Sequence, residues 1–277
     1  MDLHARPVEN SASFSPETVW RSVCSVRERS PLVHSITNFV VMNSTANALL
    51  SAGASPIMAH APEEMDDLVR LAGALVLNIG TLSTPWIESM LLAGRCARLH
   101  AVPVVVDPVG AGASCLRTET ALRLLNEASP AVVRGNPGEI MALCGADGTT
   151  KGVDSLSAAQ DAQGAVMELA KRHNCVVSAS GEEDIVAEPG RMVRVKGGSA
   201  LMPRVTGMGC TASVIVAAHV AVAPDPFSGT VCGMAVMAVA GGMAAHRAAG
   251  PGSFQVQFLD ALYSMTEADI LAHVEIM

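Results

Sequence analysis

Short unbroken apolar runs alternate with longer amphipathic stretches along almost the whole chain, and this alternation restricts the fold more than any other feature. The runs at Leu32–Ile36, Ser55–Met58, Ala74–Ile79, Val102–Val106, Ala131–Arg134 and Cys175–Ser178 show little apolar/polar alternation. That is how strands covered on both faces read. Between them, helical spacing recurs at Val41–Ala52, Pro62–Ala72, Pro85–Leu99, Thr118–Ala128, Pro137–Leu143 and Ser157–His173. Before the first run, Ser15-Pro16 opens a helix whose apolar face is Val19, Val23 and Val26, with proline at the first helical position. After the last run, Asp184–Ala187 and Arg191–Val195 flank Glu188-Pro189-Gly190 as a hairpin, and three helices are predicted to close the chain. The pattern predicts an α/β fold: a doubly wound, mostly parallel sheet with helices on both faces.

The 277 residues contain no Pro/Ser-rich or charged linker, so one domain is expected from residue 15 to 277. Residues 1–14 carry Asp2 and Glu9 and lack an apolar stretch, and they read as a loose tail rather than a targeting signal. Half of the chain is hydrophobic, which is ample for a large core. Its net charge of -8 and absence of a basic run argue against nucleic acid as a partner. Seven cysteines stand singly, with no C-x-x-C pair and no metal-like spacing with histidine. That usage fits a reducing cytoplasm. Val205–Pro224 and Pro226–His246 hold no charged residue and are long enough to cross a bilayer. Most of their positions are Ala, Gly, Ser or Thr, and the connecting Pro224-Asp225-Pro226 brings no aromatic belt and no flanking Lys/Arg cluster, so they are expected to be core helices rather than membrane spans.

One stretch has the makings of an anion hole. In Thr206-Gly207-Met208-Gly209-Cys210, two glycines lead into an apolar run from Thr211 to Ala223. Gly207 and Gly209 can take backbone angles closed to other residues, so the N–H groups of Gly207, Met208, Gly209 and Cys210 can converge on one point. A helix starting there adds the positive end of its dipole and its unpaired first-turn donors. Such a terminus lowers a thiol pKa, which makes Cys210 a candidate thiolate. The plainer alternative is a glycine-rich loop before a buried helix with an inert core cysteine.

Ligands of a doubly wound sheet bind at the carboxyl ends of its strands, and there the polar residues gather. Asn38, Met58, Asn78-Ile79-Gly80-Thr81, Asp107-Pro108-Val109-Gly110, Arg134-Gly135-Asn136-Pro137-Gly138-Glu139 and Ser180-Gly181 follow or end the six runs. Each has a structural alternative. Asp107 before proline can start a turn, Met58 can fill a gap, and Asn136-Pro137 can cap a helix with Glu139 as its reciprocal partner. Their shared position at one edge of the sheet favours a crevice.

Six segments in order, His34-Ser35-Ile36-Thr37-Asn38, Gly53-Ala54-Ser55-Pro56-Ile57-Met58, Leu77-Asn78-Ile79-Gly80-Thr81-Leu82, Asp107-Pro108-Val109-Gly110-Ala111-Gly112, Arg134-Gly135-Asn136 and Thr206-Gly207-Met208-Gly209-Cys210, resemble the hydroxyethylthiazole kinase family of the ribokinase-like fold. The resemblance runs from about residue 17 to the C-terminus. It implies transfer of phosphate from ATP to the hydroxyl of 4-methyl-5-(2-hydroxyethyl)thiazole, in thiamine salvage. It further implies that Asn38 and Met58 contact the thiazole with its hydroxyl near Gly207, that Arg134 and Ser180 bind ATP, and that Asp107 and Glu139 hold Mg²⁺ through water. Cys210 then stands where most ribokinase-like sugar kinases have an aspartate base. A homotrimer with sites between neighbouring subunits is implied as well. Two other readings are a different ribokinase-like enzyme, such as a hydroxymethylpyrimidine or pyridoxal kinase or an ATP-dependent hydrate dehydratase, and a non-catalytic nucleotide sensor. Cys210 and the Gly-Ala-Ser-Pro-Ile-Met segment speak against the former.

Overall fold

A computed structural model describes residues 14–145 and 155–277. In chain order the elements are α1 (Pro16–Arg29), β1 (Leu32–Ile36), α2 (Met42–Ala52), β2 (Ser55–Ile57), α3 (Met65–Leu71), β3 (Ala74–Asn78), α4 (Thr84–Leu99), β4 (Val104–Asp107), α5 (Cys115–Ala128), β5 (Val132–Gly135), α6 (Pro137–Leu143), α7 (Ser155–His173), β6 (Val176–Ala179), β7 (Glu183–Glu188), β8 (Arg191–Lys196), α8 (Met208–Val220), α9 (Pro226–Arg247), α10 (Pro251–Ser264), α11 (Glu267–His273) and β9 (Glu275–Ile276). The expected loose tail lies outside the described residues except for Phe14. Its ring centroid is 5.7 Å from that of Phe227, so this residue is packed.

The nine strands form one sheet in the order β2-β1-β3-β4-β5-β6-β7-β8-β9. Pairs from β2 through β6 are parallel, and β7, β8 and β9 add antiparallel. The order reverses between β1 and β3, and such a switch point opens a crevice at the strands' carboxyl ends.

Apart from the edge strand β2, whose residues are only half-buried, the apolar runs read as doubly covered strands because they are. Val76, Val105, Val132 and Val176 point into a core shared with α1, α2, α8, α9 and α10. Their neighbours Leu75, Leu77, Val104, Val106, Val133 and Val177 point into a second core under α3 to α7. Against the first face, α8 and α9 cross very closely. A Cβ on Gly229 would lie 2.6 Å from the Val220 Cα, and one on Gly233 2.8 Å from the Val216 Cα, so only glycine permits this approach. α9 is long and apolar enough to span a bilayer, but 83% of its most apolar window is buried in the molecule. It is a core helix.

The sequence expectation needs three corrections. Four helices, not three, follow the hairpin, and the chain ends in β9, whose Ile276 pairs with Val195 of β8. A strand of two residues offers too little periodicity to read. The penultimate long apolar helix also starts at Met208, three residues before the expected Thr211.

Candidate active site

The switch point carries a chain of buried amides and hydroxyls. Asn38 follows β1, and its Nδ2 donates to Asn78 Oδ1 at the end of β3 (2.8 Å). Asn78 Nδ2 donates in turn to Asp107 Oδ2 at the end of β4 (2.7 Å), which also accepts from Ser213 Oγ on α8 (2.8 Å). Asp107 is 2% exposed. Burial pushes its pKa up to about 6, Glu139 adding to the rise and Arg134 opposing it. Glu139's charge is thus close enough to be felt at Asp107.

The amino end of α8 faces this chain. Gly207 caps it with φ +84, and a Cβ there would lie 2.6 Å from Val41 Cγ1, so both torsion and space require glycine. Gly209 has a different reason. It lies within the helix rather than in an unusual backbone region, and a Cβ on it would come within 2.9 Å of Arg134 Nη1. Its bareness lets a guanidinium approach the helix terminus. The stretch expected to form an anion hole is one left-handed cap plus a first helical turn, with the cation of Arg134 beside it.

Arg134 sits in β5 and is 7% exposed. Its Nη2 donates to Ser180 Oγ, after β6, and its Nε is buried without a partner. Among the described residues it forms no ion pair. The charges of Asp107 and Asp184 act on it without direct contact; a buried cation with no contacting counter-ion is costly, and an anionic ligand in the adjoining cavity would relieve that cost.

Glu139 realises its structural alternative and still faces the cavity. Asn136 Oδ1 accepts from the Glu139 N–H (2.9 Å) while Glu139 Oε2 accepts from the Asn136 N–H (2.8 Å), a reciprocal cap on α6. Its Oε1 accepts from the Gly110 N–H (2.8 Å). Among the described residues no group of three His, Cys, Asp or Glu side chains could cage a metal. The carboxylates of Asp107 and Glu139, two of the four that line the cavity, suit a hard cation such as Mg²⁺ that takes its remaining ligands from phosphate and water.

Cys210 departs from expectation. It is half-buried, and its Sγ accepts from Asn38 Nδ2 (3.6 Å). Desolvation, with the Asp107 charge adding to it, pushes the thiol up to about 12. The helix terminus does not produce the expected thiolate, because a terminal dipole is outweighed by burial beside a carboxylate.

One cavity of about 1020 Å³ brings together Asp107, Arg134, Glu139, Ser180, Gly207, Met208, Gly209 and Cys210. Asn38 meets it through Cys210. Met58 does not line it; half-buried, it follows β2 at the edge of the sheet. Beside Asn38, Phe39 and Val40 are 64% and 65% exposed. Sequence reasoning left Ser213 and Asp184 without a role. Ser213 is one turn beyond Gly209, a spacing that the expected helix start concealed. Asp184, which also lines the cavity, accepts from the Gly181 N–H (3.0 Å); its position in a hairpin strand gave no signal. Gly197 and Gly198, after β8, line the same space.

The model of the hydroxyethylthiazole kinase family matches residues 23–268. The chain is 61% identical to a hydroxyethylthiazole kinase of Nitratidesulfovibrio vulgaris over 264 residues, covering 95% of this chain and 99% of that one. It is 47% identical to a hydroxyethylthiazole kinase of Syntrophus aciditrophicus over 265 residues, covering 95% and 98%. The solved structure of the hydroxyethylthiazole kinase protein from Pyrococcus horikoshii superposes with a TM-score of 0.88 at 41% identity, over 94% of this chain and 98% of the other. A ribokinase-like superfamily protein of Enterococcus faecalis, at 12% identity and a TM-score of 0.62 over 96% and 92%, shares the fold alone.

Proposed function

The chain belongs to the hydroxyethylthiazole kinase family, and from this premise we infer that it transfers the γ-phosphoryl group of ATP to the hydroxyl of 4-methyl-5-(2-hydroxyethyl)thiazole, giving the thiazole phosphate used to build thiamine diphosphate. The observation that best supports the site is Arg134: a buried guanidinium with no ion pair among the described residues, bonded to Ser180 and brought against the amino end of α8 by the bare Gly209.

Phosphoryl transfer to an alcohol asks a protein mainly for positioning and charge stabilisation. Arg134 and Ser180 bind the polyphosphate, a planar guanidinium matching phosphate oxygens. The N–H groups of Gly207 to Cys210 face the oxygens of the group in flight. Asn38, its amide oriented by Asn78, lies against the thiazole, and Gly207 lies by the reacting hydroxyl. Asp107 and Glu139 would hold Mg²⁺ through water, and the ion would supply neutralisation of phosphate charge. In a loose transition state little bond forms to the hydroxyl before the phosphoryl group leaves ADP, so the hydroxyl proton passes late to the transferred phosphate or to water, and a protonated Cys210 thiol is compatible with turnover.

Met58 completes the thiazole side at the β2 edge, where the exposed Phe39 and Val40 call for cover. A homotrimer, each site closed by a neighbouring subunit, accounts for both. Seven free cysteines support a cytoplasmic setting.

Phosphorus-31 NMR of protein, MgATP and the thiazole alcohol tests the reading. A phosphate monoester should appear one-for-one with ADP. Formation of ADP and free phosphate alone contradicts it.

A further inference from the structure

Arg117 stands where helix electrostatics disfavour it. It occupies the third residue of α5, whose capping residue Ser114 accepts from the Arg117 N–H (3.4 Å). A cation in a first helical turn faces the positive end of the dipole. Its guanidinium forms no ion pair among the described residues and donates instead to three main-chain carbonyls. Nη1 reaches Val109 O (2.6 Å) and Ile79 O (3.1 Å), and Nη2 reaches Gly80 O (2.8 Å). These carbonyls belong to the two loops that leave the sheet after β3 and β4.

Each loop abuts a different part of the site. Gly80 packs on Asn38 so closely that a Cβ would lie 2.5 Å from Asn38 Nδ2, and its N–H donates to Asn78 Oδ1 (3.0 Å). Gly110, next to Val109, donates its N–H to Glu139 Oε1 (2.8 Å). We propose that Arg117 is a positioning residue that sets the distance between the thiazole end of the site, through Gly80, Asn78 and Asn38, and its phosphate end, through Val109, Gly110 and Glu139. The proposal rests on the functional reading above.

A lysine offers its N–H donors from one nitrogen and lacks the planar fork whose Nη1 and Nη2 reach the two loops here. A small misplacement of reacting groups can cost on the order of 10²-fold in rate. Arg117→Lys and Arg117→Ala should each lose between about 10-fold and 10²-fold in kcat while the KM for ATP stays near the parental value. Millimolar guanidinium should restore part of the loss in Arg117→Ala, and methylammonium should not. Without substrates, amide hydrogen exchange at Gly80 and Gly110 should quicken in both variants while the sheet amides stay protected. Parental kcat in Arg117→Lys, or unchanged exchange at both glycines, overturns the proposal; if Arg117→Ala does not fold, the lysine variant decides by these two criteria. Glu139→Gln and Asp107→Asn run beside them. If those two keep full activity the functional reading fails, whereas their loss of activity beside intact Arg117 variants removes Arg117 alone.

Discussion

Asp107 is a buried carboxylate at the wall of the cavity. Its pKa of about 6 lies above the ordinary 3.8, so the folded chain keeps a proton that the unfolded chain loses between about pH 4 and pH 6. Stability therefore falls as pH rises through that window and is level above it. The shift corresponds to about 3 kcal/mol, at 1.36 kcal/mol per unit. Asp107→Asn keeps an acceptor for Asn78 and Ser213 and removes the buried charge. It should abolish most turnover, yet unfold at a higher temperature than the parent above pH 6, with the difference closing towards pH 4. Thermal midpoints across this range check it. The place of Cys210 on the cavity was legible from its glycines, but its protonation state was not, because burial beside Asp107 depends on residues far apart in the chain. With the thiol near 12, Cys210→Ala should lose no more than about 10-fold in kcat, below the 10² to 10⁴-fold typical of a general base. A larger loss in steady-state kcat, with ATP and thiazole KM unchanged, would restore the proton-acceptor role. Glu139 was legible both as a cap and as a candidate site residue; its bond to Asn136 realises the cap, and it lines the cavity.

The elements were readable wherever apolar period and punctuation agreed. Leu32–Ile36 and Pro137–Leu143 lie where the sequence put them, because a proline or a capping box marks each boundary. α8 started early because Gly207 caps it through a left-handed torsion and van der Waals space that Val41 sets, a contact invisible along the chain. The crossing of α8 and α9 was equally hidden: glycines inside a helix read as tolerated weak points until Val216 and Val220 are seen against them. Added atoms in so tight a contact typically cost 1 to 3 kcal/mol. Gly233→Ala should therefore destabilise by about 2 kcal/mol or more, read by urea denaturation, whereas Gly252→Ala, which meets open space, should be near neutral.

At the scale of the whole molecule, the alternation of strand and helix predicted the doubly wound sheet, while the strand order could not be read from it. The reversal between β1 and β3 is a matter of which loops cross which face, and it decides that Asn38 and Asn78 meet. Met58 lies outside the cavity, and Phe39 and Val40 are exposed; the proposed trimer accounts for both. Light scattering coupled to size exclusion should give three times 28.5 kDa, and Phe39→Asp should shift the protein to the monomer and raise the KM for the thiazole. A parental monomer with full activity would place Met58 outside the site. The central claim, that this cavity phosphorylates a thiazole alcohol, is tested most directly by kcat/KM from ADP release with the hydroxyethylthiazole, hydroxymethylpyrimidine and pyridoxal side by side. The account predicts the thiazole to exceed both others by on the order of 10²-fold or more, as expected where a site is built to pair one substrate's polar groups; equal or higher kcat/KM for pyridoxal or the pyrimidine would contradict it.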